Sequence, residues 1–242
     1  MVSKIYLQHV IHFSMEHKHT EVYSFCNDNY MLSWQLGVAH YMQARDIFSK
    51  KAVFTGYGTG QLTAIALACQ IKPKAILQAF RERLEACNKN VRIDVLWNSF
   101  DIESILEYIL NETSAALATK HLMIPVMTLT GEYRWLSKFE SNADIIAAHK
   151  ASVLISSLSM VYLCTPTGDL TVVAMPAYPV YHAATLMIGS RPQEDLITDT
   201  YFSLFSKYPN LAWSHNIPKN KCAITREFTN GYNEARNYFH ES

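Results

Sequence analysis

Apolar positions along the chain change their period from segment to segment, and the changes mark out strands and helices in alternation. Glu21–Phe25 is a short run of strand character, and Ala52–Thr55, Leu122–Leu129 and Leu170–Ala174 read the same way. Between them the period lengthens. In Ser33–Phe48, Trp34, Val38, Tyr41, Met42 and Ile47 recur near helical spacing, which predicts a helix. Pro73–Asn88 sets Ile76, Leu77, Phe80 and Leu84 on one helical face, and Ile102–Leu110 does so with Ile102, Ile105, Leu106 and Ile109. Thr59–Gln70 is strongly apolar, which predicts a buried helix. Ala143–Leu158 begins as a helix, and Thr225–His240 predicts a closing one. Alternating strands and helices imply an α/β fold of three layers, a mostly parallel central sheet flanked by helices. Residues 1–20 read as an N-terminal extension and 21–242 as a single domain. No repeat, low-complexity tract or Gly/Pro/Ser-rich linker interrupts it.

Two uncharged runs have the length of a membrane span: Ala52–Ile71 with 20 residues and Ala151–Gly168 with 18. Gly56, Gly58 and Gly60 interrupt the first, and serines, threonines and Pro166 interrupt the second. Both read as buried pieces of an α/β core, so no transmembrane segment is expected. Lys plus Arg and Asp plus Glu are 21 each, a zero net charge that argues against a nucleic-acid partner. With 242 residues and 49% hydrophobic content the chain can bury a core without a metal or disulfide staple. The cysteines are Cys26, Cys69, Cys87, Cys164 and Cys222, an odd number without a C-x-x-C pair. This predicts buried thiols in a reducing compartment. No signal-peptide run follows Met1, so an intracellular, cytoplasmic location is expected, with any membrane or lipid-droplet contact peripheral.

The segment richest in information is Ala52-Val53-Phe54-Thr55-Gly56-Tyr57-Gly58-Thr59-Gly60-Gln61-Leu62-Thr63-Ala64. A strand runs through glycine-spaced positions into a helix, the setting of a G-x-S-x-G nucleophile elbow. In such an elbow the flanking glycines lift the central side chain toward a helix N-terminus, where backbone N–H groups hold an oxyanion. Here the central position is Gly58, which has no side chain to attack with. A phosphate loop needs a Lys after its last glycine, and a Rossmann loop needs G-x-G-x-x-G; the segment has neither. Spacing alone leaves a nucleophile-free elbow and a plain strand-to-helix turn equally open.

The neighbouring residues extend the pattern. Tyr23-Ser24-Phe25-Cys26 leads through Asn27-Asp28-Asn29-Tyr30-Met31-Leu32 to Gln35-Leu36-Gly37-Val38-Ala39-His40-Tyr41-Met42, and the elbow follows. Ile145–Ser152, Gly168–Pro179, Arg226-Glu227-Phe228 and Gly231-Tyr232 continue it. In this order and spacing the chain resembles the patatin-like phospholipase family over about residues 20–240, most closely the animal branch of adipose triglyceride lipase and adiponutrin. The resemblance implies a patatin-like fold and a lipid acyl hydrolase ancestry, with a Ser–Asp dyad and a glycine-rich oxyanion loop. Position by position, the Ser falls on Gly58 and the Asp of the family's D-G-G turn on Ala174, followed by Met175 and Pro176. The oxyanion loop falls on Asn27–Leu32, where Asn27, Asp28, Asn29 and Leu32 replace its glycines and would crowd an incoming carbonyl. Nucleophile, base and oxyanion loop are thus all degenerate, and the resemblance implies a pseudoenzyme.

Its expected mode of action is binding, of a lipid or acyl chain or of a regulatory protein that serves active lipases. Alternatives are a hydrolase with a relocated nucleophile and a structural or assembly protein reusing the fold. Tyr57 and Thr59 flank the elbow apex, Cys26 is the one reactive side chain near the site that the resemblance implies, and Asp169 precedes Ala174 by five positions. His17 and His19, with Glu16 and Glu21, lack a second ligand cluster, so no metal or other cofactor is expected. His40 reads as a packed core histidine.

Overall fold

The computed structural model describes residues 21–26, 32–57, 60–87, 102–128, 133–153, 161–163, 170–173, 186–189, 202–205 and 221–240. The strands are β1 (Val22–Cys26), β2 (Val53–Tyr57), β3 (Leu122–Thr128), β4 (Tyr133–Leu136), β5 (Val161–Leu163), β6 (Leu170–Val173), β7 (Leu186–Gly189) and β8 (Phe202–Phe205). The helices are α1 (Leu32–Ala44), α2 (Gly60–Ala68), α3 (Pro73–Cys87), α4 (Ile102–Ile109), α5 (Ser114–His121), α6 (Asn142–Val153) and α7 (Lys221–His240). This is an α/β arrangement, and the four strands expected from the sequence lie in one sheet. Its order is β5-β6-β3-β2-β1-β7-β8, with β4 also paired to β3.

The run β3-β2-β1-β7-β8 is parallel throughout. The other end is not: β4 and β6 pair antiparallel to β3, and β5 antiparallel to β6. The expectation of a mostly parallel sheet therefore holds for its central run and fails for the segment around Leu170. Only residues 164–169 join β5 to β6, too few for the crossover that a parallel neighbour requires.

The core follows from the apolar pattern. All nine residues of α2 are buried. This explains the long uncharged run at Ala52–Ile71: it is a buried strand and a buried short helix. Among the described residues no helix is long and apolar enough to cross a membrane. Helices α1 and α7 cross at very short range. A Cβ on Gly37 would sit 2.0 Å from the Phe228 carbonyl oxygen, and one on Gly231 would sit 2.0 Å from that of Trp34. Beside this crossing the buried Trp34 indole donates to Glu234 at 3.1 Å. The expectation of buried thiols holds for Cys69, where burial pushes the thiol up to about 12. It fails for Cys222, which is exposed near the start of α7 because the inward stripe of that helix falls on Ile224 and Phe228 instead.

Candidate functional site

Parallel register sets the ends of the central strands level. Cys26 of β1 lies opposite both Tyr57 of β2 and Gly189 of β7, and Gly189 lies opposite Phe205 of β8. The chain leaves β1 toward residues 27–31 and leaves β2 toward residues 58 and 59. These two departures thus start side by side at one sheet edge, about 4.8 Å apart across the strand pair. This edge also carries the reversal of strand order. From β1 the chain builds β2 and β3 on one side, and later β7 and β8 on the other. In open α/β sheets the crevice beyond the carboxyl ends of the strands at such a reversal is where ligands bind. The first turn of α1 is tied to the same place, since the buried Gln35 amide donates to the Ile188 carbonyl of β7 at 3.4 Å.

Gly56 and Gly60 are required by space. A Cβ on Gly56 would meet the Gly60 carbonyl carbon at 2.5 Å and the Gln61 nitrogen at 2.7 Å. A Cβ on Gly60 would lie 1.9 Å from the Phe25 carbonyl oxygen, inside any contact distance. Neither residue adopts a left-handed φ, so what these positions need is the absence of a side chain, which lets α2 begin directly against β1 and β2. Only residues 58 and 59 separate the last residue of β2 from the first of α2. Gly56 and Gly60 thus serve close approach rather than backbone strain.

Behind the helix start lies a buried polar cluster that sequence reasoning does not single out. Gln61, the second residue of α2, donates from its amide to the Ser152 hydroxyl. Its carbonyl oxygen accepts from His149 Nδ1 at 2.7 Å. All three side chains are buried. A glutamine carbonyl can only accept, so Nδ1 carries the proton and Nε2 is left as a lone-pair acceptor. Nε2 has no partner among the described residues. Burial lowers the His149 pKa from 6.5 to about 3, so the ring is neutral near neutral pH. The cluster fastens α6 to the elbow helix with neutral hydrogen bonds. The only sequence signal for it is that His149 and Ser152 stand three apart, on one face of α6.

The remaining sequence-predicted residues divide cleanly. Gly56 and Gly60 are brought together as described. Leu32 is the first residue of α1 and is 2% exposed, so its side chain belongs to the core and does not hang over a loop. The apolar residue is drawn inward because helix α1 begins there. Gly58, Thr59, Asn27, Asp28, Asn29, Asp169 and Ala174 lie outside the described residues, as do His17, His19 and Glu16. Glu21 accepts from the Tyr23 hydroxyl at 3.1 Å and from the Ser49 amide at 3.2 Å. His40 packs against aromatic rings of α7, 5.6 Å from Phe228 and 5.8 Å from Tyr232, but it is half-buried and so stands at the margin of the core where a core position was expected. β6 ends at Val173 opposite Met127 of β3, and β3 is the neighbour of β2. One strand therefore stands between the strands that lead to positions 58 and 174. No family model matches the chain, and no curated protein matches it either.

Proposed function

We propose that the protein is a patatin-like pseudoenzyme with a three-layer patatin-like fold. It acts by binding a lipid or acyl chain, or a regulatory protein of active lipases, at the edge where β1 and β2 end. The observation that carries the reading is the elbow. Gly56 and Gly60 are packed so closely against Phe25 and each other that the strand-to-helix turn tolerates no larger residue at either place. The position between them is Gly58, which offers no oxygen for an acyl intermediate. A turn of this kind built around an apex without a nucleophile fits a site whose chemistry has been removed. The degenerate Asn27–Leu32 loop and Ala174 support the same reading, because no base or oxyanion loop of the family's type is present in the sequence. The level ends of β1, β2 and β7 support binding at that edge.

Labelling with a fluorophosphonate probe tests the loss of a nucleophile: the protein is expected to take up no probe. Stoichiometric labelling of any residue would overturn the reading. Mass spectrometry of an organic extract of the purified protein then separates the two kinds of partner. A bound acyl lipid assigns the edge to lipid, and a lipid-free protein that forms a defined complex with a lipase regulator assigns it to protein. A protein that carries no lipid and forms no such complex would leave the binding reading without support.

A further inference from the structure

We propose that the groove between α3 and the first half of α7 binds a phosphate group. Cys222, Thr225, Arg226, Thr229 and Asn230 recur at three- and four-residue steps and so line one side of α7, while Arg81 of α3 closes the groove from across it. The groove has a volume of about 440 Å³, within the range of small-molecule sites and larger than a bare phosphate. The opposite stripe of α7, with Ile224, Phe228, Gly231 and Ala235, is the buried one. The polar side is therefore turned outward from the core by the same periodicity that buries the apolar side.

The charge of the lining selects an anion. Two arginines, Arg81 and Arg226, line the groove, and no carboxylate does so among the described residues. Arg81 Nε is shut off from solvent and has no acceptor among the described residues. A donor in that state is costly until an acceptor reaches it. Among the described residues Arg226 reaches a carboxylate through Nε, 3.4 Å from Glu227. Glu82, next to Arg81 in sequence, accepts from Gln78 at 2.6 Å. A planar guanidinium matches two oxygens of a phosphate in a bidentate fork, and Asn230 adds an amide donor. Lys74, the second residue of α3, adds its charge to the burial that disfavours protonation of His40. The inference uses no residue of the elbow and stands independently of the pseudoenzyme reading.

Calorimetric titration with glycerol 3-phosphate and sedimentation with phosphatidylcholine vesicles, with and without phosphatidic acid, form the test. The protein is expected to bind at least one phosphate monoester probe. Arg81→Ala and Arg226→Ala should each weaken that binding by roughly tenfold or more, and Arg236→Ala, at an exposed position outside the groove, should not. Binding of the soluble ester assigns the site to free phosphate esters, and binding of phosphatidic acid vesicles alone assigns it to a lipid headgroup. Should an arginine variant fail to fold, the parent still reports. The probe that binds should slow alkylation of the exposed Cys222, followed by peptide mass mapping. Absence of binding to both probes, binding that both arginine variants retain in full, or unprotected Cys222 would overturn the proposal.

Discussion

At the scale of single residues, the decisive features are two missing side chains and one buried histidine. In the proposed reading Gly58 stands where a nucleophile would be needed and Ala174 where a carboxylate would be; both residues are legible in the sequence. His149 is not legible as special, because nothing in its flanking residues reports that Gln61, 88 positions away, will accept its proton. Its protonation makes a prediction with a definite sign. The folded pKa lies below the unfolded value of 6.5, so the unfolded chain binds more protons between the two. The stability that the neutral ring contributes is complete above about pH 6.5 and is lost as pH falls toward about 3. Denaturant titrations should show a slope from this residue of up to about 1.4 kcal/mol per pH unit in that window, and His149→Gln should remove that share. An identical pH slope in parent and variant would contradict the assignment. Gln61→Leu should cost about 1–3 kcal/mol, because it strands His149 and Ser152 in the core. Equilibrium unfolding of the variant reads that loss directly.

At the scale of elements, close backbone approach governs both the elbow and the crossing of α1 and α7. Gly60→Ala would press a methyl group against the Phe25 carbonyl, and Gly37→Ala would press one against the Phe228 carbonyl. Each should destabilise by about 1–3 kcal/mol or more, since backbone atoms cannot step aside as a flexible side chain can. A thermal melt unchanged by either substitution would show that the approach is looser than described. The long periodic or strongly apolar segments were readable in advance for this physical reason. A helix such as α2 or α3 repeats its pattern over several turns, and β1, β2 and β3 stand as apolar or β-prone runs. Ser114–His121 escapes because its alanines make no sharp stripe, and β7 and β8 escape because four residues hold only two alternations. The antiparallel pairing of β6 also escapes, since direction depends on which strand it meets. Restoring the lost side chains tests the elbow as an element. Gly58→Ser combined with Ala174→Asp should yield at most feeble ester hydrolysis. The strands leading to the two positions are separated by β3, so these strands run about 10 Å apart by strand spacing. The Asn27–Leu32 segment supplies none of the family's loop glycines, and one oxyanion donor contributes about 3–4 kcal/mol. Robust turnover by the double variant would mean that this segment binds an oxyanion as it stands.

At the scale of the whole molecule, the fold brings the end of β1, the elbow and the reversal of strand order to one edge. In the proposed reading, nucleophile, base and charge stabilisation would all be missing from the site, and a single compensating residue would not restore a reaction path. The account therefore treats the edge as a surface for holding a partner, and it assigns the phosphate groove at α3 and α7 to a different face of function. The most direct test is steady-state hydrolysis by the purified parent protein of short-chain esters, triacylglycerol and phospholipid. The account predicts no turnover above the protein-free blank for any of them. Turnover that persists through purification and disappears on Thr59→Ala or Cys26→Ala would contradict it, by showing that the nucleophile has moved rather than vanished.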